Sequence, residues 1–314
     1  MVEGATQTAL KADSRLERVL ARRAFAATAE LAPPASASAD GVRALARQLR
    51  GLCDALNVTD GQRALVRMSA WAAAVVLLQE GLEPILQVVT RDRNRIALQA
   101  DALGAAAVGV RNVLCLRGDD PRIGNEPDAK GVYELTTEEL LATYRRMRDE
   151  GKLLGGDPIE ARPMLFLGAA VNPFAGSAED AFANLRGKVE AGADFIQTQA
   201  VFDPEAFEAY MQLVRKEWLH DRVGILAGVM PLKSAKMARY VAEKVPGIVV
   251  PQAVIARMER ASDPKAEGLR IALETIQSLR KVAGVRGVHL MPVNWDEAVP
   301  EIAVRAGLFP RPDL

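Results

Sequence analysis

The chain has 314 residues, in which 40 Lys and Arg balance 40 Asp and Glu, with two Cys and two His. Zero net charge removes the basic surface that binding to a phosphate backbone requires, which argues against nucleic acid as a partner. Two cysteines and two widely separated histidines supply neither a disulfide framework nor a metal site of the usual spacing, so we predict no metal. The composition favours a reduced, cytoplasmic protein.

The sequence contains no uninterrupted run of about 18 apolar residues, the length that a membrane span needs. The best candidate, WAAAVVLL at 71–78, ends at Gln79 and Glu80, which predicts a buried helix and no membrane association. The first 23 residues carry charges of both signs and no continuous apolar segment. We therefore expect a helix there that caps the fold, and no signal peptide.

Eight short apolar segments suit buried parallel strands, and most precede a stretch with helical spacing. The predicted strands span 24–31, 55–59, 84–90, 112–116, 164–170, 195–199, 223–229 and 288–293. The predicted helices include 95–103, 137–150, 178–191, 204–217 and 234–243. This alternation is typical of βαβ units, and eight of them close a barrel. We predict an α/β fold, a (β/α)8 TIM barrel, as one domain over residues 1–314.

The segment 248–284 exceeds what one crossover needs. It contains a long amphipathic helix with Asp263 at its N-cap and Pro264 at its first position, so extra helices are expected between strands seven and eight. A doubly wound sheet is the rival, but it expects a glycine-rich turn after the first strand. The sequence there, ELAPPASASAD, has no glycine before Gly41.

Barrel enzymes place their active sites at the carboxyl ends of the strands, so polar residues there are candidates. Glu30 ends the first strand, where burial would favour its protonated form and a role as general acid; a structural Glu is the alternative. Gly118 allows a sharp turn after the fourth strand, which sets Asp119 at the mouth. Gln199 on the sixth strand offers an amide to a heterocycle, or it is satisfied by the backbone.

Two arginines follow the third strand with an aspartate between them. Arg91 and Arg93 could bind a phosphate, or Asp92 could make this segment a salt-bridged helix start. Both interpretations stay open. His289 in the last strand is expected to be a satisfied core histidine.

Six segments now support a family assignment. They are ELAPP at 30–34, NVT at 57–59, VVTRDRN at 88–94, LRGDDP at 116–121, NLRGKVEAGADFIQTQAVFD at 184–203 and GVMP at 228–231. In order and spacing, from about Phe25 to Phe309, they resemble the methylenetetrahydrofolate reductase family.

The resemblance implies a flavin-dependent barrel that reduces 5,10-methylenetetrahydrofolate to 5-methyltetrahydrofolate with NADH or NADPH through bound FAD. Glu30 then matches the general acid that protonates N10, Asp119 the aspartate that stabilises the 5-iminium cation, and Gln199 the glutamine that binds the pterin. The implied cofactor-binding residues are Thr59, Gln87, Val89, Arg91, Arg117, Gly118, Asp119, Asn184 and Lys188. Its further implications are a place in one-carbon metabolism and methionine biosynthesis, and a homo-oligomer.

The sequence departs from the family at the flavin site. Gln87 replaces a histidine, Val89 and Thr90 replace a turn that contains cysteine, and Ala35 and Gly187 stand where arginines are expected. Three alternatives remain: FAD held with the help of Arg91 and Arg93, weak flavin retention, or hydride transfer directly from the nicotinamide. A flavin-independent methyl transferase and a non-catalytic subunit of a reductase complex are rival functions.

Overall fold

The computed structural model describes residues 9–245 and 247–314, and its central feature is a closed barrel of eight strands. Each strand pairs in parallel with the next along the chain, and the eighth pairs with the first. The strands are β1 (Ala26–Leu31), β2 (Ala55–Val58), β3 (Pro84–Val89), β4 (Asn112–Leu116), β5 (Phe166–Val171), β6 (Phe195–Ala200), β7 (Gly224–Val229) and β8 (Val285–Leu290). The predicted TIM barrel is confirmed.

Helices surround the barrel in the predicted order. They are α1 (Arg15–Ala21), α2 (Asp40–Leu49), α3 (Ala70–Gln79), α4 (Arg95–Ala107), α5 (Thr137–Asp149), α6 (Ala178–Ala191), α7 (Pro204–Lys216), α8 (Leu219–Arg222), α9 (Ala235–Lys244), α10 (Gln252–Arg260), α11 (Pro264–Leu279) and α12 (Ala298–Arg305). Asp263 caps α11 as predicted, since its side chain accepts the backbone N–H of Ala266 at 3.1 Å. The expected N-terminal helix corresponds to α1, and residues 1–8 lie outside the described residues.

The extra helices between β7 and β8 are also confirmed, as α10 and α11, which follow the predicted helix α9. They cover a second apolar cluster, which includes Met230, Leu232 and Ile255 and lies beside the exits of β6, β7 and β8. α11 approaches this cluster closely, because a Cβ on Gly268 would lie 1.8 Å from the carbonyl oxygen of Leu232. No helix in the described part of the chain is long and apolar enough to cross a membrane.

An apolar plug fills the amino-terminal end of the barrel. Leu16 and Val19 of α1 close it from below, and the rings of Phe166 and Phe195 stack within it at 5.3 Å between centroids. Gly168 lies two residues after Phe166 on β5. A Cβ at this position would come within 2.2 Å of the Phe195 ring. The plug therefore requires a glycine at that position.

A polar layer lies above the plug inside the barrel. It consists of Thr28, Asn57, Gln197 and His289, and all four are buried. The Gln197 amide donates to Asn57 Oδ1 at 3.0 Å and accepts from Asn57 Nδ2 at 2.6 Å. Thr28 Oγ1 lies 3.1 Å from Gln197 Nε2 and 3.0 Å from His289 Nδ1. Buried polar side chains that satisfy one another in this way hold a single arrangement.

Candidate active site at the carboxyl ends of the strands

A cavity of about 470 Å³ opens at the carboxyl ends of the strands, above the polar layer. All of the predicted site residues line it except Thr59. The lining comprises Glu30, Asp60, Gln62, Gln87, Val89, Arg91, Leu114, Leu116, Arg117, Gly118, Asp119, Ala170, Val171, Asn172, Asn184, Lys188, Gln197, Thr198, Gln199, His289 and Met291. The Thr59 hydroxyl is enclosed away from the cavity and has no hydrogen-bond partner among the described residues.

Glu30 lies where β1 enters this cavity, and an imidazole stands beside it. The Nε2 atom of His289 is 3.7 Å from Glu30 Oε2, while its Nδ1 atom is held by Thr28 in the polar layer. One nitrogen of His289 is therefore satisfied in the core, as expected, while the other lies beside the candidate acid. Sequence reasoning missed this second role, because β1 and β8 become neighbours only when the barrel closes.

One tight turn contacts both candidate catalytic carboxylates. In this 61–64 turn, Gln62 Nε2 lies 3.4 Å from Glu30 Oε1, and the backbone N–H of Arg63 donates to Asp119 Oδ2 at 2.7 Å. Arg63 and Ala64 have φ values of 59° and 53°, in the left-handed region that L-residues rarely adopt. Such conformations persist only where the surroundings enforce them, and they cluster at functional sites.

The opposite wall carries an amide and an ammonium group. Gln199 Oε1 accepts the backbone N–H of Ala200 at 3.2 Å, which leaves the amide NH2 to the cavity. Lys188 Nζ donates to Ala170 O at 2.8 Å and to Asn184 Oδ1 at 2.7 Å. Burial lowers the pKa of the Lys188 ammonium.

The two arginines after β3 are already paired. Arg91 donates two hydrogen bonds of 2.7 Å to the Asp92 carboxylate and a third, of 3.2 Å, to Gly61 O. Arg93 contacts Asp60 at 2.6 Å and Asp101 at 2.8 Å. Of the two open interpretations, the geometry favours the salt-bridged segment, although the cap of the following helix is Asn94 rather than Asp92.

These pairings decide how well a flavin dinucleotide fits. Its pyrophosphate needs cations or free N–H donors, yet Arg91 and Arg93 are engaged, and Gly187 supplies no cation, a Cβ there meeting the Glu138 side chain at 3.9 Å. The other cations that line the cavity are Lys188, bonded as described, and the exposed Arg117, which stacks over the Tyr133 ring at 4.2 Å. Because neither Arg91 nor Arg93 is free and Gly187 brings no charge, the residues present fit the pyrophosphate of FAD poorly. Nor do the described residues contain a group of three or more metal-binding side chains.

Comparison with known proteins identifies the family. A model of the methylenetetrahydrofolate reductase family matches residues 15–307. Methylenetetrahydrofolate reductase 2 of Schizosaccharomyces pombe is 29% identical over 65% of this chain and 33% of its own length. The 5,10-methylenetetrahydrofolate reductase of Pectobacterium carotovorum is 26% identical over 74% of this chain and 72% of its own. Relatives from rice and Caenorhabditis elegans carry NADH and NADPH, respectively, in their names.

The chain thus spans about a third of the fission yeast relative and nearly three quarters of the bacterial one. Among solved structures, a Clostridium thermocellum protein described as binding two copies of 5-methyl-5,6,7,8-tetrahydrofolic acid aligns with a TM-score of 0.65. That alignment covers 92% of this chain and 99% of the other at 13% identity, so it supports the barrel fold. On the match over residues 15–307, this chain belongs to the methylenetetrahydrofolate reductase family.

Proposed function

We propose that this chain reduces 5,10-methylenetetrahydrofolate to 5-methyltetrahydrofolate, with a nicotinamide dinucleotide as the hydride donor. The observation that carries the proposal is the pair of carboxylates, Glu30 and Asp119, which one turn holds at the mouth of a barrel of this family. The names of the rice and C. elegans relatives support a nicotinamide donor. The ligand described for the C. thermocellum protein supports a folate.

Glu30 is the proton donor in this proposal. The five-membered ring of the substrate opens when N10 takes a proton, and the bridging carbon is then left as a 5-iminium cation. Glu30 is suited to the transfer because it lies at the inner edge of the cavity, with His289 and Gln62 near its two oxygens. General acid catalysis of this kind contributes on the order of 10² to 10⁴ in rate.

Asp119 is the fixed negative charge that complements the cation. Its Oδ2 atom is already bound by the Arg63 N–H, so the carboxylate is oriented before substrate arrives. A preorganised charge stabilises a transient cation without reorganisation during the reaction. Gln199, with its free NH2 group, is placed to bind the acceptor atoms of a pterin.

The hydride passes directly from the dihydronicotinamide to the iminium carbon. Together with the proton from Glu30, it gives the methyl group and the oxidised nicotinamide, and so the reaction balances. The poor fit of the cavity to a pyrophosphate at Gly187, Arg91 and Arg93 supports this route over one through FAD. The FAD that the family resemblance implies therefore remains a sequence-based prediction, as do the cytoplasmic location, the homo-oligomer and the single domain over 1–314.

The test is an assay of the purified protein with 5,10-methylenetetrahydrofolate and either NADH or NADPH, together with its visible spectrum. We expect 5-methyltetrahydrofolate from a colourless protein, with no gain in rate on addition of FAD. A yellow protein whose activity follows its flavin content would refute the direct route. A protein that oxidises neither NADH nor NADPH in this assay would refute the reduction and favour the methyl transferase or the non-catalytic subunit.

The role of Glu30 is tested with Glu30→Gln, which keeps the shape of the side chain but cannot donate the proton. We expect turnover to fall by about 10² or more while 5-methyltetrahydrofolate still binds. Full activity in this variant would exclude Glu30 as the general acid.

A further inference from the structure

A second, smaller cavity adjoins the first. It is lined by Glu30, Ala32, Gln62, Arg63, Leu65, Arg67, Pro292, Val293, Asn294 and Asp296, so it shares Glu30 and Gln62 with the main cavity. Its volume is about 160 Å³. Because this is below the roughly 300 Å³ at which ligand pockets usually begin, it suits one end of a ligand whose remainder lies elsewhere.

Two arginines, Arg63 and Arg67, line this cavity together with two carboxylates, Glu30 and Asp296. Neither Arg63 nor Arg67 forms an ion pair within 4 Å with a carboxylate of residues 9–245 or 247–314. Arg67 is half-buried, and among the described residues its side chain donates one hydrogen bond, of 3.3 Å, to Pro33 O. Most arginines near the mouth have a carboxylate partner, so this pair is distinctive. An unpaired guanidinium in a cavity favours an anion.

The backbone around the arginines is held in rare conformations. Arg63 on one wall and Asn294 on the other have φ values of 59° and 54°, and Ala64, next to Arg63 in the turn, has 53°. These conformations fix the backbone from which the exposed Arg63 side chain extends. Asp296 also lines the cavity, but its burial and the neighbouring Glu297 raise the pKa of this carboxyl, which weakens its repulsion of an anion.

We propose that Arg63 and Arg67 bind the glutamate tail of the folate, whose carboxylates occupy the second cavity while the one-carbon bridge lies at Glu30. This inference rests on the proposed function, and it adds a site for the end of the substrate remote from the reacting bond. The continuity of the two cavities at Glu30 favours the folate over the nicotinamide dinucleotide, whose pyrophosphate is the other anion that must be accommodated.

The first experiment needs no variant. The affinity of the wild-type protein is measured by calorimetry for 5-methyltetrahydrofolate and for the same compound truncated after the aminobenzoyl group. We expect the glutamylated compound to bind about tenfold tighter or more, as two charge-assisted contacts would give. Equal affinity for the two compounds would overturn the inference, even if the protein is an active reductase.

The second experiment assigns the preference to the arginines. In Arg67→Gln and Arg63→Gln we expect the preference for the glutamylated compound to shrink to about threefold or less, with KM for the nicotinamide unchanged. Arg122→Gln is the matched control, because Arg122 is exposed near the mouth, pairs with Asp120 and lines neither cavity. An unchanged preference, or a rise in KM for the nicotinamide alone, would overturn the inference.

These measurements separate the inference from the function on which it rests. Binding is measured without turnover, so a protein that prefers the glutamylated folate but reduces nothing would refute the proposed reaction and retain the tail site. An active protein that binds both compounds equally well would retain the proposed reaction and refute the tail site.

Discussion

The side chains that contact Glu30 differ from those that contact other carboxylates at the barrel mouth. Many mouth carboxylates here are paired with arginine, as Asp60 is with Arg93 and Asp92 is with Arg91. Glu30 instead faces a histidine and an amide. An arginine opposes protonation of the carboxylate that it pairs with, and no Arg or Lys of the described residues pairs with Glu30. This difference in partners separates a structural carboxylate from one that can act as an acid.

His289 is therefore expected to position Glu30 for the reaction. His289→Gln keeps a polar side chain within reach of Thr28 but removes the titratable ring. We expect kcat to fall about tenfold and KM for the folate to change little, because the ring lies 3.7 Å from Glu30 and acts on the proton transfer rather than on binding. Thr28→Val, which removes the hydrogen bonds of Thr28 Oγ1 with the ring and with Gln197, is the comparison and should give a smaller loss. An unchanged kcat in His289→Gln would assign His289 to the core alone.

The sequence made Glu30, Asp119 and Gln199 predictable as site residues, because each stands where an apolar strand ends. It did not make Gln62, Arg63 or His289 predictable. Their importance depends on neighbours that the closed barrel supplies, and nothing in their local pattern distinguishes them from surface or core residues. Spatial proximity across the barrel has no signal in a single sequence.

At the scale of elements, the 61–64 turn joins the two carboxylates at the cost of backbone strain. A left-handed conformation costs an L-residue about 1–2 kcal/mol, and glycine avoids that cost. Ala64 is the position to test, because its φ is 53° and it belongs to neither the proposed acid nor the proposed tail site.

The substitution Ala64→Gly should stabilise the protein and lower its turnover rate. We expect the free energy of unfolding to rise by about 0.5–1 kcal/mol, the strain relieved less the entropy that glycine loses on folding. Turnover should fall because the turn holds Glu30 and Asp119 less firmly. Denaturant unfolding and steady-state rates measure the two effects. Ala100→Gly is the control: in the exposed interior of α4 the same change relieves no strain and should destabilise the protein by about 0.5–1 kcal/mol.

Among the elements, the alternation of strand and helix was readable throughout, and the ends of β8 were the least accurate. The strand begins at Val285, three residues before the prediction, because Arg286 and Gly287 interrupt the apolar pattern. Gly287 is there because a Cβ would lie 2.4 Å from the Ala26 carbonyl oxygen of the neighbouring strand. A glycine that strand pairing requires looks, in sequence, like a glycine that ends a strand.

At the scale of the whole molecule, the end of the barrel remote from the cavity is fastened by a buried ion pair. The Asp54 carboxylate is fully buried and accepts hydrogen bonds from Arg311, from Arg15 and from the backbone N–H of Ala27. Arg311 also donates to Phe25 O at 2.8 Å, so the C-terminal segment is bound to the start of β1.

Removing the arginine should destabilise the fold without changing the chemistry. Arg311→Met leaves a buried carboxylate with Arg15 as its one remaining cation, and the loss of one partner of a buried pair typically costs about 3–5 kcal/mol. We expect a lower Tm and an unchanged kcat at 20 °C, since the cavity lies at the other end of the barrel. Arg305→Met, which removes an exposed arginine paired with Glu301, should shift Tm by much less. Equal shifts in the two variants would refute the structural role of Arg311.

The apolar plug has a consequence for kinetics. Because Phe166, Phe195 and the side chains of α1 seal one end of the barrel, both ligands have to enter and leave by the same mouth. If hydride passes directly between them, they must occupy the site together, and double-reciprocal plots at several fixed folate concentrations will intersect. If a bound carrier stores the electrons, the nicotinamide can leave before the folate arrives, and the lines will be parallel. Because the barrel is closed at one end, the order in which the nicotinamide and the folate bind and leave distinguishes direct hydride transfer from transfer through a bound carrier.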